Sequence, residues 1–192
     1  PFERNKDDVR LALVQKRAKE IGAPVAYVNM TGGQDDLVFD GDTIVVSKDG
    51  SVLARTPQFD DQLIVVDIEC AEGSARPDVV ISEEPTSHAS PTNSTIATPL
   101  SDEAEMWQAL VMGLRDYVGK NGFRSVVLGL SGGIDSALVA AIAIDALGAK
   151  RVNGVAMPSK YSSGHSVEDA QALADATGIH FRITPIAPMV EA

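Results

Sequence analysis

The sequence predicts an α/β protein in two blocks, the second built on a doubly wound parallel sheet. Three observations carry that expectation. Ser125-Val126-Val127-Leu128-Gly129-Leu130 is a short apolar run suited to a buried parallel strand. An alanine-rich apolar segment over residues 136–147, stopped by Gly148, follows it as a buried helix. Val152-Asn153-Gly154-Val155-Ala156-Met157-Pro158 reads as the next strand, so strand, helix and strand form a crossover unit. Upstream, a Pro/Ser/Thr-rich tract ending at Thr98-Pro99-Leu100 can bury little apolar surface and suits a connector. The chain therefore divides into residues 1–70, a linker over 71–101, and residues 102–192.

In the first block, residues 7–20 read as a helix: Asp7 and Asp8 favour its N-terminus, Val9, Leu13 and Ile21 contribute to an apolar face, and Gly22 ends it. Pro24-Val25-Ala26-Tyr27-Val28-Asn29 reads as a buried strand. Residues 43–47 and 51–55 pair as a hairpin around Lys48-Asp49-Gly50, and residues 63–68 read as a further apolar strand. The intervening Thr31-Gly32-Gly33-Gln34-Asp35-Asp36 is a Gly-rich acidic loop when taken alone.

In the second block, residues 102–118 are helical by pattern. Ser101 is positioned to cap the helix, Glu103 and Glu105 sit near its positive end, and Met106, Leu110, Leu114 and Val118 share a face widened by Trp107 and Val111. Ser166 and Asp169 are spaced as a capping box for a helix running to Thr177, which Gly178 ends. His165 reads as a loop or pre-cap residue, and residues 180–186 begin another strand.

Composition narrows the function. Hydrophobic residues make up 44% of the 192, enough for a core, and no apolar run reaches the length of a membrane span. A net charge of −11 argues against a nucleic-acid surface, which needs clustered Lys and Arg. The single cysteine, Cys70, excludes an internal disulfide framework and a Cys-rich zinc site, and His88 has no metal-ligating neighbour in sequence. The charged opening Pro1-Phe2-Glu3-Arg4-Asn5-Lys6 has no signal-peptide pattern, so a cytoplasmic location is expected. The missing initiator Met admits either a processed chain or a piece of a longer one.

The chemistry concentrates in Leu130-Ser131-Gly132-Gly133-Ile134-Asp135-Ser136, between strand and helix. That placement aims backbone N–H groups at an anion, and no Gly-Lys-Ser/Thr closes the loop as a Walker motif would. Gly132 and Gly133 permit positive φ and a close backbone approach. Ser131 and Ser136 offer hydroxyls to phosphate oxygens. Asp135 would repel a bare phosphate, so its presence points to bridging Mg²⁺. Without a ligand, the same residues would form a tight turn with Asp135 and Ser136 as caps. Met157, at the end of the following strand, could pack on adenine or serve as a core methionine.

This loop resembles the pyrophosphate-binding loop of the N-type ATP pyrophosphatases, which include NAD, GMP and asparagine synthetases. The resemblance implies adenylation of a substrate by ATP, with Gly129, Leu130, Ser131, Gly132, Gly133, Ile134, Asp135, Ser136 and Met157 at the nucleotide. It implies that Ser131 contacts the pyrophosphate and its transition state, and that Asp135 holds Mg²⁺. Residues 1–70 resemble the second half of the nitrilase-like glutaminase domain of glutamine-dependent NAD synthetases. Lys6 matches a glutamine-binding position, although Asn5 replaces the usual glycine.

Met157-Pro158-Ser159-Lys160-Tyr161-Ser162-Ser163 is similar to a stretch of the same family. The family's Glu–Lys–Cys glutaminase triad lies upstream of this chain's first residue, and Cys70, ending an apolar run, reads as a small core residue. The resemblance therefore implies ATP- and Mg²⁺-dependent amidation of deamido-NAD to NAD with ammonia from glutamine. It also implies an internal fragment of that enzyme, homo-oligomeric at full length, without nucleic-acid or membrane partners. Two other readings stay open: a different adenylating amidotransferase such as GMP synthetase, and a nucleotide-binding fragment without turnover.

Overall fold

A computed structural model describes residues 1–4, 6–69, 78–79, 94–159 and 164–187; the side chains of residues 6–8 lie outside that description. Cys70, His88 and the Lys160-Tyr161-Ser162-Ser163 stretch also fall outside it. The chain forms two compact units, one of Pro1–Thr31 and Phe39–Glu105, the other of Gly32–Val38 and Met106–Ala192.

The first unit opens with α1 (Lys6–Ile21), ended by Gly22 at φ +64°. Strands β1 (Val25–Tyr27), β4 (Ile44–Val46) and β5 (Val52–Arg55) form an antiparallel sheet in the order β1-β4-β5. Val25 faces Val46, Tyr27 faces Ile44, and Ile44 faces Arg55, with an irregularity at Val45 and Val46. Val14, Ala18, Ile44 and Val46 form the core, flanked by Leu11, Val25, Tyr27 and Val52. Strand β1 is half-buried rather than buried.

Three further expectations need correction. Val9, Leu13 and Ile21 are 49–65% exposed, whereas Arg10, Val14 and Ala18 point inward. A buried charge at Arg10, which a count of apolar residues cannot register, shares the inward face. Residues 63–68 form no strand, and Leu63 is 93% exposed. Strand amides need partners, and the open edge of β5 is taken instead by the chain returning from the connector. Arg55 N–H donates to Thr95 O, Ala97 N–H donates to Arg55 O, and Arg55 bridges Ile96 in parallel.

The third correction concerns the Gly-rich loop. It is a two-stranded hairpin, β2 (Thr31–Gln34) paired with β3 (Leu37–Asp40), whose turn places Asp35 at φ +53°.

The second unit holds most of α2 (Asp102–Lys120), followed by β6 (Val126–Gly129), α3 (Ile134–Leu147), β7 (Val152–Ala156), α4 (Gly164–Thr177) and β8 (His180–Ile183). The three strands are parallel in the order β6-β7-β8, with Val126 opposite Val152 and Asn153 opposite His180. Ser101 caps α2 as expected, accepting from Ala104 N–H at 3.3 Å.

The buried stripe of α2 is Ala109, Val111, Met112 and Val118, while Met106 and Leu110 are exposed. Helix α3 is buried only along Ala140, Ala143 and Ala146, with Leu138 and Val139 half exposed. Small alanines let α3 approach the strands, and Leu130, Val152, Ala170, Ala174 and Ile179 complete the core. Helix α4 starts at Gly164, so Ser166 and His165 lie in its first turn rather than at or before its cap. Among the described residues, no helix is long and apolar enough to cross a membrane.

Candidate functional site

The phosphate-type loop lies where β6 ends and α3 begins. Leu130 is buried and its N–H donates to Val155 O at 2.9 Å, which fixes the loop's first residue to β7. Leu130 therefore spends its amide in the sheet, although its sequence position suggested a ligand contact. A Cβ on Gly154 would lie 2.5 Å from Leu130 Cδ1, so the absence of a side chain there lets Leu130 seat.

Beyond Leu130 the chain turns outward. Gly132 takes φ +77°, and a Cβ on it would collide with the backbone of Ser166 in the first turn of α4. Gly132 is thus required twice, for its left-handed φ and for the approach of α4. Gly133 differs from expectation: it is extended at φ −88°, ψ 160°, and serves as the N-cap residue of α3.

Both loop hydroxyls bond within the loop. Ser136 Oγ accepts from Ser131 N–H at 3.2 Å and donates to Gly133 O at 2.9 Å; Ser131 Oγ accepts from Gly133 N–H at 3.3 Å. The hydroxyls also meet at 3.1 Å, so this network shapes the turn before any anion arrives. Asp135 and Ser136 sit inside α3 rather than capping it, and no side chain caps its N-terminus. A fourteen-residue helix therefore begins at the loop with its dipole's positive end uncapped.

Asp135 is exposed in that first turn. No group of three or more His, Cys, Asp or Glu side chains suited to a metal exists among the described residues. A single carboxylate fits Mg²⁺, which takes one or two protein carboxylates and completes its shell with phosphate oxygens and water. Ile134 is 82% exposed and Met157 51% exposed, and a Cβ on Gly129 would stand 3.3 Å from Met157 Cε. The thioether thus lies over the end of β6, beside the loop.

In the first unit, Lys6 opens α1, with its side chain outside the described set. Four charged residues of the same unit were missed from sequence. Arg10 donates to both oxygens of Asp40 at 2.7 and 2.8 Å, and Arg55 donates to both oxygens of Asp42 at 2.6 and 2.9 Å. Asn29 Nδ2 adds a bond to Asp40 at 3.1 Å. All four charged groups are at most 7% exposed.

Burial pulls the Arg10 pKa down, but the hydrogen bond and charge of Asp40, helped by Tyr27 and Asp42, more than offset it and leave the pKa above its ordinary value. Arg10 Nε is buried without a hydrogen-bond partner among the described residues. The only local signal was Asp40-Gly41-Asp42 set among apolar strands.

A carbon-nitrogen hydrolase family model matches residues 3–77, and an NAD synthase family model matches residues 106–192. The chain is 41% identical over 191 residues to the glutamine-dependent NAD(+) synthetase of Synechocystis sp., an alignment covering 99% of this chain and 31% of that protein. It is 44% identical to the one from Xanthomonas campestris pv. campestris, covering 100% of this chain and 32% of the relative.

Among solved structures, the glutamine-dependent NAD+ synthetase of Acinetobacter baumannii in complex with adenosine diphosphate superposes with a TM-score of 0.82 at 38% identity, over 100% of this chain and 33% of that one. The chain thus spans about a third of these relatives' length. A carbon-nitrogen hydrolase segment thus precedes an NAD synthase segment in this chain, and over nearly its whole length it is similar to part of glutamine-dependent NAD(+) synthetases.

Proposed function

We propose that the second block binds ATP with Mg²⁺ at the Ser131–Ser136 turn, as part of an enzyme that amidates deamido-NAD to NAD through an adenylated intermediate. The observation that carries this reading is the uncapped N-terminus of α3, which begins immediately after Gly133 and bears an exposed Asp135 in its first turn. Peptide N–H groups there stabilise the negative charge that develops as pyrophosphate leaves. Ser131 adds a hydroxyl, Asp135 supplies the carboxylate ligand for Mg²⁺, and Met157 packs against adenine. Leu130 acts as the loop's anchor rather than as a contact.

Ammonia comes from glutamine, handled by the first block with Lys6 at the glutamine. The division into residues 1–70, 71–101 and 102–192 belongs to the same proposal. The ADP complex of the A. baumannii relative supports an adenine-nucleotide ligand. The direct test uses the sequence within its complete protein, supplied with ATP, Mg²⁺ and glutamine. Deamido-NAD should be converted to NAD and xanthosine monophosphate left unchanged; formation of GMP without NAD would reject this substrate.

A further inference from the structure

Two non-glycine residues of the first unit take a left-handed φ, Asp42 at +55° and Phe59 at +59°. Aspartate tolerates that conformation, whereas a bulky ring rarely adopts it, and Phe59 is buried as well. Such strain persists only where the surroundings impose it. Here they do so around Asp40. Phe59 N–H donates to Asp40 O at 2.8 Å, Thr56 N–H donates to Thr43 O at 3.0 Å, and Gly41 bridges Gln58 between them, so residues 56–59 are paired with 40–43.

Asp40 thereby joins two groups that reach the same short segment. Its carboxylate holds the Arg10 guanidinium, whose Nη2 also stands 3.5 Å from Pro1 O. Its carbonyl holds Phe59, whose ring meets that of Phe2 edge-on with centroids 5.5 Å apart. The opening segment is therefore held at Pro1 by a buried cation and at Phe2 by a ring on strained backbone. Lys6 opens α1 just beyond it and precedes Arg10 by about one helical turn. Glycine at position 59 would relieve the strain, so a ring kept there points to a placement that matters.

We infer that Arg10 and Phe59 are positioning residues for glutamine: through Asp40 they set the path of residues 1–4, and so the point where α1 offers Lys6. The inference deepens the assignment of Lys6 to glutamine and rests on it. Both side chains are buried, so they act through the backbone rather than on the substrate. An ordered entry into α1 lessens what glutamine must organise on binding, an effect that falls on KM and not on the chemical step.

The test uses the sequence within its complete protein and compares two nitrogen sources, glutamine and ammonium chloride. Phe2→Leu keeps an apolar side chain and loses the ring; Arg10→Lys keeps the charge and loses the paired bonds to Asp40. Each should raise the glutamine KM on the order of tenfold with kcat changed less than about twofold, while NAD formation from ammonium stays at the parental rate. Phe2→Tyr, which retains the ring, should keep the parental KM. A parental KM in Phe2→Leu, or equal losses with glutamine and ammonium in either variant, would overturn the positioning role. Phe2→Leu leaves the ion pairs intact and decides the matter should Arg10→Lys fail to fold. Lys6→Ala separates the two readings. A raised glutamine KM in Lys6→Ala beside a parental one in Phe2→Leu would overturn the positioning role alone; a parental KM in Lys6→Ala would overturn the assignment of Lys6 and this inference with it.

Discussion

In the first unit, Arg10 and Arg55 are locked onto Asp40 and Asp42 at 2.6–2.9 Å with every partner under a tenth exposed. In the second, Ser131, Gly133 and Asp135 are exposed, on a turn whose hydroxyls bond only to the turn's own atoms in the contacts described above. Both regions hold polar groups at the ends of strands, yet they use them differently. A buried pair tolerates no loss of a partner, because the remaining charge cannot be rehydrated. An exposed turn at a helix N-terminus sacrifices little stability and keeps amide donors and a carboxylate accessible to an anion and its metal. The first arrangement defines a shape, and the second leaves room for a ligand.

The contrast should break most visibly at Asp40. Asp40→Ala takes away the two short bonds of buried Arg10, leaving it only Asp42 at 3.9 Å and Pro1 O at 3.5 Å, and should destabilise the first unit by about 3 kcal/mol, measurable as a shift in its urea unfolding midpoint. Asp135→Ala, by contrast, should leave the unfolding of the second unit within about 0.5 kcal/mol of the parent. Comparable losses for the two variants would show that Asp135 is part of the scaffold and not a ligand.

A smaller effect separates the two loop glycines. Gly132→Ala meets the backbone of Ser166 at φ +77° and should cost about 1–3 kcal/mol in thermal or urea unfolding. Gly133→Ala should cost less than about 1 kcal/mol, since the position is extended and its nearest atom, Ser131 Oγ, lies 3.4 Å away. Equal costs would mean that α4 does not press on the loop as described.

Much of this contrast was legible in the sequence on one side only. The strand, Gly-Gly turn and helix of the second unit are local, with each feature fixed by residues within one crossover, so their pattern survives in the linear chain. The Arg10–Asp40 pair joins residues thirty positions apart, and neither charge signals its partner. Arg10 shares the inward face of α1 with Val14 and Ala18, which is why the apolar face over Val9, Leu13 and Ile21 was misplaced. The Gly32-Gly33 hairpin read as a loop for a similar reason, since its tip packs against α2, and its nearest anchor, Asp116, lies 83 residues away. Within the loop itself, composition could not tell which glycine takes the left-handed φ, because that is decided by contact with Ser166.

The smallest expected effect lies on the turn between β4 and β5. The hydroxyl of Ser47, followed by the backbone and side chain of Ser51, lowers the Asp49 pKa from 3.8 to about 2. Because the folded pKa is depressed, the turn's contribution is present above pH 4 and fades as pH falls through 2. Ser47→Ala should move the Asp49 titration, followed by carboxyl chemical shift, back towards 3.8. An unmoved titration would mean that the Ser47 hydroxyl is not what stabilises the carboxylate.

The central claim, that the exposed turn is a site for ATP and metal, is tested most directly by calorimetric titration of ATP into the chain with and without Mg²⁺, repeated with Asp135→Ala. The account predicts tighter binding with Mg²⁺ for the unmodified chain and no such preference for the variant. Equal affinities with and without Mg²⁺ in the unmodified chain, or a preference that survives Asp135→Ala, would contradict the assignment of Asp135 as the residue through which the turn holds the metal.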